Sequence, residues 1–259
     1  MKRRHLFELE DQAWLPAMFR QLLTELLQYQ IERMDWYAGT IPILGNLIQQ
    51  SGYTDIWDCC SGAAGPWPTL LPQLQKHHQK KLKVTLSDKY PYLKAWQQLE
   101  TATNGQISYC AQAIDATRFA YESGKIYTFF TGFHHFKPEA AQQILNHVSK
   151  QGVTIAIFEF TYRSPAHVKA MLKSPRTVWR LSQRMPFRFS RFLWTYVLPI
   201  VPFIYWWDGT VSHLRTYTPH ELHDFAKNTN ASHYQWEIDT ILSQKTGYHL
   251  TYLLGYPSE

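Results

Sequence analysis

From Thr54 onward the chain alternates short apolar runs with longer stretches of helical periodicity. The runs are Asp55-Ile56-Trp57-Asp58, Leu82 to Leu86, Ile107 to Cys110, Ile126 to Thr131 and Val153 to Phe160, ten to twenty-five residues apart. Runs this short and this apolar suit strands covered on both faces, and the gaps can hold helical crossovers. The pattern therefore predicts βαβ units around a parallel sheet. One crossover helix is well marked: Pro138 stands in its first turn, Ile144, Leu145 and Val148 form its buried stripe, and Gly152 closes it. Pro66, Pro68 and Pro72 confine the helix after the first strand to a late or irregular start. Near the end, Thr218-Pro219-His220-Glu221 spells a capping box. His233 to Ile238 and His249 to Gly255 have no helix-sized segment between them, so they pair antiparallel across the loop Ser243 to Thr246.

Before Thr54, Leu15, Phe19, Leu22, Leu23, Leu26, Leu27 and Ile31 recur at three- and four-residue spacing. That is an amphipathic helix, and a shorter apolar segment, Ile41 to Ile48, follows it. Residues 1–53 form an N-terminal helical cap on a core spanning 54–259. Hydrophobic residues make up 45% of the 259 positions and charged ones 18%, so disorder is excluded and one large domain fits. Three cysteines, two of them adjacent at Cys59 and Cys60, match no disulfide framework and no zinc spacing. No metal is expected, and a reducing cytoplasm suits the chain. Lys2, Arg3 and Arg4 lead straight into Glu8, Glu10 and Asp11 without an apolar stretch, which does not make a secretory signal.

Residues 161–217 interrupt the βαβ rhythm after the fifth strand. Between Glu159 and Asp208 there is no acidic residue. Arg163, Lys169, Lys173, Arg176, Arg180, Arg184, Arg188 and Arg191 put +8 there, which leaves −2 of the formal +6 for the rest of the chain. Phe192 to Trp207 then runs sixteen residues without a charge, broken by Pro199 and Pro202. This insertion suits a lid, a homodimer interface or, through 169–207, an anionic membrane surface. Nucleic acid is disfavoured, because the aromatics form a block and are not interleaved with the cations.

The most informative stretch is Ile56-Trp57-Asp58-Cys59-Cys60-Ser61-Gly62-Ala63-Ala64-Gly65. A strand ending in an acid, then a turn of small residues into a helix, lets backbone approach a ligand closely. The second strand ends in Ser87-Asp88, a carboxylate placed to accept both hydroxyls of a ribose. The third is followed by Asp115-Ala116, placed for an adenine amino group. Together they imply a nucleotide-type cofactor. A dinucleotide dehydrogenase shares this architecture, but the turn lacks Gly-x-Gly-x-x-Gly.

These residues resemble the class I S-adenosylmethionine-dependent methyltransferases. Their first motif reads acidic-x-Gly-x-Gly-x-Gly. Here Asp58 matches the acid, Cys60 replaces the first glycine, Gly62 keeps the second, Ala64 replaces the third, and Gly65 adds freedom just beyond. Asp88 looks like the family's ribose acid, and Asp115-Ala116 like its adenine pair. Thr131-Gly132-Phe133-His134-His135-Phe136 is similar to the "LHH" segment of small-molecule members. The resemblance covers about residues 54–160 and 218–256. The opening Leu6 to Pro16 looks like the start of a bacterial subgroup without an assigned substrate. The resemblance implies an α/β, Rossmann-like, mostly parallel seven-stranded sheet with an antiparallel last strand. It also implies S-adenosylmethionine as cofactor, S-adenosylhomocysteine as product and a small, apolar or amphipathic acceptor methylated on oxygen or nitrogen. Cofactor contacts would come from Asp58, Cys60, Ser61, Gly62, Ala64, Gly65, Asp88, Asp115, Ala116 and Thr131.

His134 and His135 stand at the end of the fourth strand, on the edge where open α/β sheets bind ligands, and either suits a general base. Their bland alternative is one histidine packed under the next helix. In the cap, Glu10, Trp14 and Tyr37 are placed to orient a substrate, Trp14 by stacking and Tyr37 by its hydroxyl. For each the alternative is packing within the cap. From another functional class, a noncatalytic binding or membrane-associated protein that keeps this fold is the second hypothesis, supported by Cys60 and Ala64 at glycine positions.

Overall fold

The structure, a computed structural model, describes residues 1–229, 231–242, 247 and 249–258. Helices α1 (Ala17–Met34) and α2 (Ile41–Ser51) precede β1 (Asp55–Cys59), α3 (Trp67–His78), β2 (Lys83–Ser87), α4 (Leu93–Ala102), β3 (Ile107–Tyr109) and β4 (Ile126–Phe130). Then come α5 (Pro138–Lys150), β5 (Thr154–Glu159), α6 (Pro165–Ala170), α7 (Ser174–Ser182), α8 (Phe189–Phe192), α9 (Ile200–Arg215), α10 (Pro219–Lys227), β6 (Tyr234–Leu242) and β7 (His249–Pro257).

The seven strands form one sheet in the order β3-β2-β1-β4-β5-β7-β6. Strands β1 to β5 pair parallel, and β7 lies antiparallel between β5 and β6. This is the sheet expected from the apolar runs, its antiparallel last strand included. The hairpin connection expected at Ser243 to Thr246 lies outside the described residues.

Alternation along the strands explains why both faces are covered. Ile56, Val84, Leu86, Ile126, Ala156 and Phe158 face a core completed by α2, α3 and α4, where Leu44, Leu47, Trp67, Leu70 and Trp96 are buried. Tyr127, Phe129, Ile155 and Ile157 face the opposite core with Ile144, Leu145 and Val148 of α5 and Leu222 of α10. Helix α3 begins at Trp67, with Pro68 in its first turn and Pro72 inside it. The capping box forms as the sequence spells it: Thr218 Oγ1 accepts the Glu221 N–H, and Glu221 accepts the Thr218 N–H.

A third cluster joins the two ends of the sequence map. Leu15, Leu22, Leu23 and Leu26 of the α1 region pack with Val178 of α7 and Val201 and Ile204 of α9. The N-terminal helix and the insertion are therefore one layer, seated over the C-terminal edge of the sheet. No described helix is long and apolar enough to cross a membrane.

Candidate active site

The strand order reverses between β1 and β4, so the loops leaving these two neighbours part and open a crevice at the C-terminal edge. A cavity of about 740 Å³ fills it, bounded by the turns after β1, β2 and β4, by α1 and by α9. That is within the range of small-molecule and cofactor sites.

The turn after β1 is built on unusual backbone. Gly62 has φ +55°, which an L side chain adopts only with strain, and Cys60 adopts φ +58° despite its Cβ. Across the crevice Thr131 sits at φ +50°. Conformations of this kind cost roughly 1–3 kcal/mol each and gather at binding sites. Cys60 at a glycine position has a second consequence. A Cβ at Gly132 would lie 2.8 Å from the Cys60 Cβ, so the smaller residue on β4's loop makes room for the larger one on β1's. Gly132→Ala is therefore expected to destabilise the protein by about 1–3 kcal/mol, as overpacking does. Adding Cys60→Gly should return most of that loss in a chemical denaturation series, and additive losses would show that the two loops do not press on each other.

Asp58 does not line the cavity. It is buried behind the turn, where Oδ1 accepts from Thr128 Oγ1 at 2.6 Å and Oδ2 accepts from Ser61 Oγ at 2.6 Å. Burial pushes its carboxyl up to about 7, against the hydrogen bonds from Ser61 and Thr128. The cofactor contact expected of Asp58 is thus corrected to a structural one: it holds the turn and ties β1 to β4. Ala64 is likewise buried in the core and offers nothing to the cavity. Cys60, Ser61, Gly62 and Gly65 do line it.

Asp88 lines the cavity too, and its carboxylate ties two loops together. Oδ2 accepts the Gly62 N–H at 2.8 Å and Oδ1 accepts the Tyr90 N–H at 2.8 Å. Asp115 turns one oxygen back on Thr117, accepting its N–H at 3.0 Å and its hydroxyl at 2.6 Å. Its other oxygen has no hydrogen-bond donor among the described residues, and Ala116 and Thr117 line the wall beside it. Thr131 shares a hydrogen bond with Tyr37, whose ring is held edge-on by Phe130 and Phe160.

The two histidines sit in a buried charge cluster that their motif did not announce. Glu159, at the end of β5, accepts the backbone N–H groups of Phe133 and His134 through Oε1 and meets His134 Nδ1 at 2.8 Å through Oε2. His134 is buried, and its Nε2 faces Glu8 at 3.8 Å. His135 Nδ1 lies 3.0 Å from Glu8 and 2.9 Å from Asp11. Arg215 of α9 completes the group, with Nη1 at 3.2 Å from Glu8 and 2.7 Å from Asp11. Burial alone would lower the His135 pKa, but Glu8 and Asp11 outweigh it and hold the imidazolium well above its ordinary value. For Asp11, burial is outweighed in turn by His135 and Arg215, which keep the carboxyl well below the usual range.

This corrects the base expected from either histidine. Glu8 and Asp11 favour the charged form of His135, which suits it to donate a hydrogen bond, while His134 Nε2 is buried and faces Glu8 at 3.8 Å. Donor atoms of Glu8, His134 and His135 all lie within 4.8 Å of one another, a spacing a metal ion can use. Arg215 and the His135 proton already supply positive charge there.

Of the cap residues, Tyr37 and Glu10 reach the cavity and Trp14 does not. Trp14 is 66% exposed, because tight turns from Leu9 to Leu15 roll Leu15 into the core and leave its neighbour outside. Asp208 accepts the backbone N–H groups of Leu9 and Glu10 at 2.7 and 3.0 Å. The Glu10 side chain has no hydrogen-bond partner among the described residues. Burial first, then the neighbouring Asp208, pushes its carboxyl above the ordinary range. Glu8, Glu159, Asp208 and Arg215 are the site residues that sequence reasoning missed. Glu159 carried a signal, an acid closing a six-residue apolar strand.

No protein-family model and no curated protein matches the chain. Among solved structures it is similar to TnmH, with TM-score 0.52 and 15% identity over 97% of this chain and 60% of that one. It is also similar to human N-acetylserotonin methyltransferase, solved in complex with SAM, with TM-score 0.51 and 12% identity over 96% of this chain and 60% of that one. The chain thus spans about 60% of the length of both. At such identities the likeness carries the fold alone: the chain has the α/β Rossmann-like methyltransferase fold, with its seven strands in one sheet.

Proposed function

We propose that the protein is an S-adenosylmethionine-dependent methyltransferase acting on a small, apolar or amphipathic acceptor, at oxygen or nitrogen. The observation that carries this reading is convergence. The strained small-residue turn, Asp88 and Asp115 come from the loops that leave β1, β2 and β3 and meet in one cavity, which continues between α1 and α9.

The residues present fit the cofactor. Asp88 keeps unused lone pairs for two ribose hydroxyls, Asp115 has a free oxygen for an amino group, and the turn from Cys60 to Gly65 presents little beyond backbone. Bound there, S-adenosylmethionine supplies a sulfonium methyl that an acceptor's lone pair takes as the C–S bond breaks. The chain must then align the acceptor, exclude water and take up a proton from a hydroxyl or protonated amine. Leu23 and Leu27 of α1 and Phe160 give the acceptor side apolar walls. Tyr37 is fixed by Thr131 and its aromatic neighbours, and orients. The His135 imidazolium steadies negative charge developing on an acceptor oxygen. Glu10 stands on the cavity wall without a hydrogen-bond partner among the described residues, its carboxyl pushed up to about 8 by burial and Asp208, and in its ionised form it takes the proton.

Calorimetric titration tests the reading. Saturable binding of both S-adenosylmethionine and S-adenosylhomocysteine is expected. Silence with both would instead favour a noncatalytic protein that keeps the fold.

A further inference from the structure

We propose that the insertion between β5 and α10 docks the protein on an anionic lipid surface. Of its nine cations, four are committed internally: Arg163 pairs with Glu221, Arg188 and Arg191 both pair with Glu25 of α1, and Arg215 pairs with Glu8 and Asp11. Lys169, Lys173, Arg176, Arg180 and Arg184 make no ion pair among the described residues. All five are exposed. On α7 the inward positions are Ser174, Val178 and Ser182, four residues apart, which turns Arg176 and Arg180 outward.

Beside these cations stands an apolar ridge. Phe187 is 81% exposed and Phe189 67%, and Phe192, Val197, Leu198 and Phe203 continue it toward α9. Large apolar side chains in that number are not left to water without reason. The ridge is also held firmly to the basic helix. Trp179 Nε1 donates to the Thr195 carbonyl, and the Tyr196 hydroxyl donates to the Trp179 carbonyl. Arg188 and Arg191 clamp the ridge to Glu25 from the other side.

Charge decides what covers this face. A two-fold dimer would set the patch against itself, cation against cation, with no acid between Glu159 and Asp208 to answer them. A nucleic acid would answer the cations but leave aliphatic Val197 and Leu198 unmatched. An anionic bilayer answers both, with phosphates for the cations and an acyl boundary for the ridge. The same insertion supplies α9, a wall of the cavity, so docking would present the active site to membrane-dissolved, amphipathic molecules.

The test is vesicle sedimentation with the full chain. Wild type should pellet with phosphatidylcholine vesicles containing phosphatidylglycerol and stay in solution with phosphatidylcholine alone. Each cation near such a surface contributes about 1 kcal/mol, so Arg176→Gln, Arg180→Gln and Arg184→Gln together should lower partitioning by about 10²-fold. Phe187→Ser with Phe189→Ser should lower it as well, and the remaining binding should become more salt-sensitive. These positions are exposed, and unchanged thermal melts would confirm that both variants fold. Failure of the wild type to bind anionic vesicles at low salt overturns the proposal. So does a salt-insensitive dimer that the Ser variant dissolves, or duplex DNA binding that the Gln variant loses and the Ser variant keeps. Cofactor titration is read separately, so loss of either result leaves the other standing.

Discussion

Asp88→Asn should weaken S-adenosylmethionine binding at least tenfold. A hydrogen bond to a charged carboxylate contributes about 1.5–3 kcal/mol, and the lower figure alone is a factor of about ten. The carboxylate is already spanning the loops after β1 and β2 through Gly62 and Tyr90. Two ribose hydroxyls would therefore share an acceptor that the protein has fixed in place, which spares the complex the cost of ordering it. Asn keeps the shape, one carbonyl acceptor and one of the two tethers, so its melting temperature should fall only slightly. Asp88→Ala loses both tethers and should cost stability as well as affinity. Titration of both variants, alongside their melts, separates the two effects. Full affinity in a folded Asn variant would place the ribose elsewhere in the cavity.

The fold was legible because each strand of a parallel sheet is buried on both faces and so appears as an unbroken apolar run. Ile126 to Phe130 is such a case, buried at every position. Helix α9 was hidden for the opposite reason. Its first turns are as apolar as the segment before it, and Pro199 and Pro202 read as breaks. In the structure Pro199 precedes the helix and Pro202 falls in its first turn, where a missing N–H costs nothing.

The convergence of the turn, Asp88 and Asp115 on one cavity was legible for a local reason: each follows a strand of the parallel sheet, so all three arrive at the same edge. The cluster around the histidines is not local. Glu8, His135 and Arg215 meet across most of the chain, and no spacing rule links them. Histidine type suggested a base, but only the flanking carboxylates, Glu8 and Asp11, show why the charged form of His135 is favoured. Asp58 shows the converse limit. It stands near the end of β1, where the sequence places an acid, but its oxygens are taken by the hydroxyls of Ser61 and Thr128 behind the turn, and it does not line the cavity.

Glu10→Gln is expected to lower turnover by about 10²- to 10⁴-fold, the usual contribution of a positioned acid or base, with cofactor affinity nearly unchanged. In the wild type, kcat should rise as pH passes through about 8, the value to which the Glu10 carboxyl is pushed up. Burial and Asp208 hold a proton on Glu10 above the ordinary carboxylate range, and only the ionised form can accept the acceptor's proton. The sign for stability is opposite. A carboxyl whose native pKa is raised binds more protons folded than unfolded, so its contribution to stability is lost as pH rises from the unfolded value of 4.5 through the raised native one. The Gln variant should thus lose the rise in rate and also resist alkaline destabilisation better than wild type. His135→Gln separates the roles. It removes a fixed positive charge, so it should lower turnover while the rise of rate with pH survives. Were the rise to vanish in the His135 variant and persist in the Glu10 variant, the proton would pass to the histidine, and Glu10 would be left as a substrate contact.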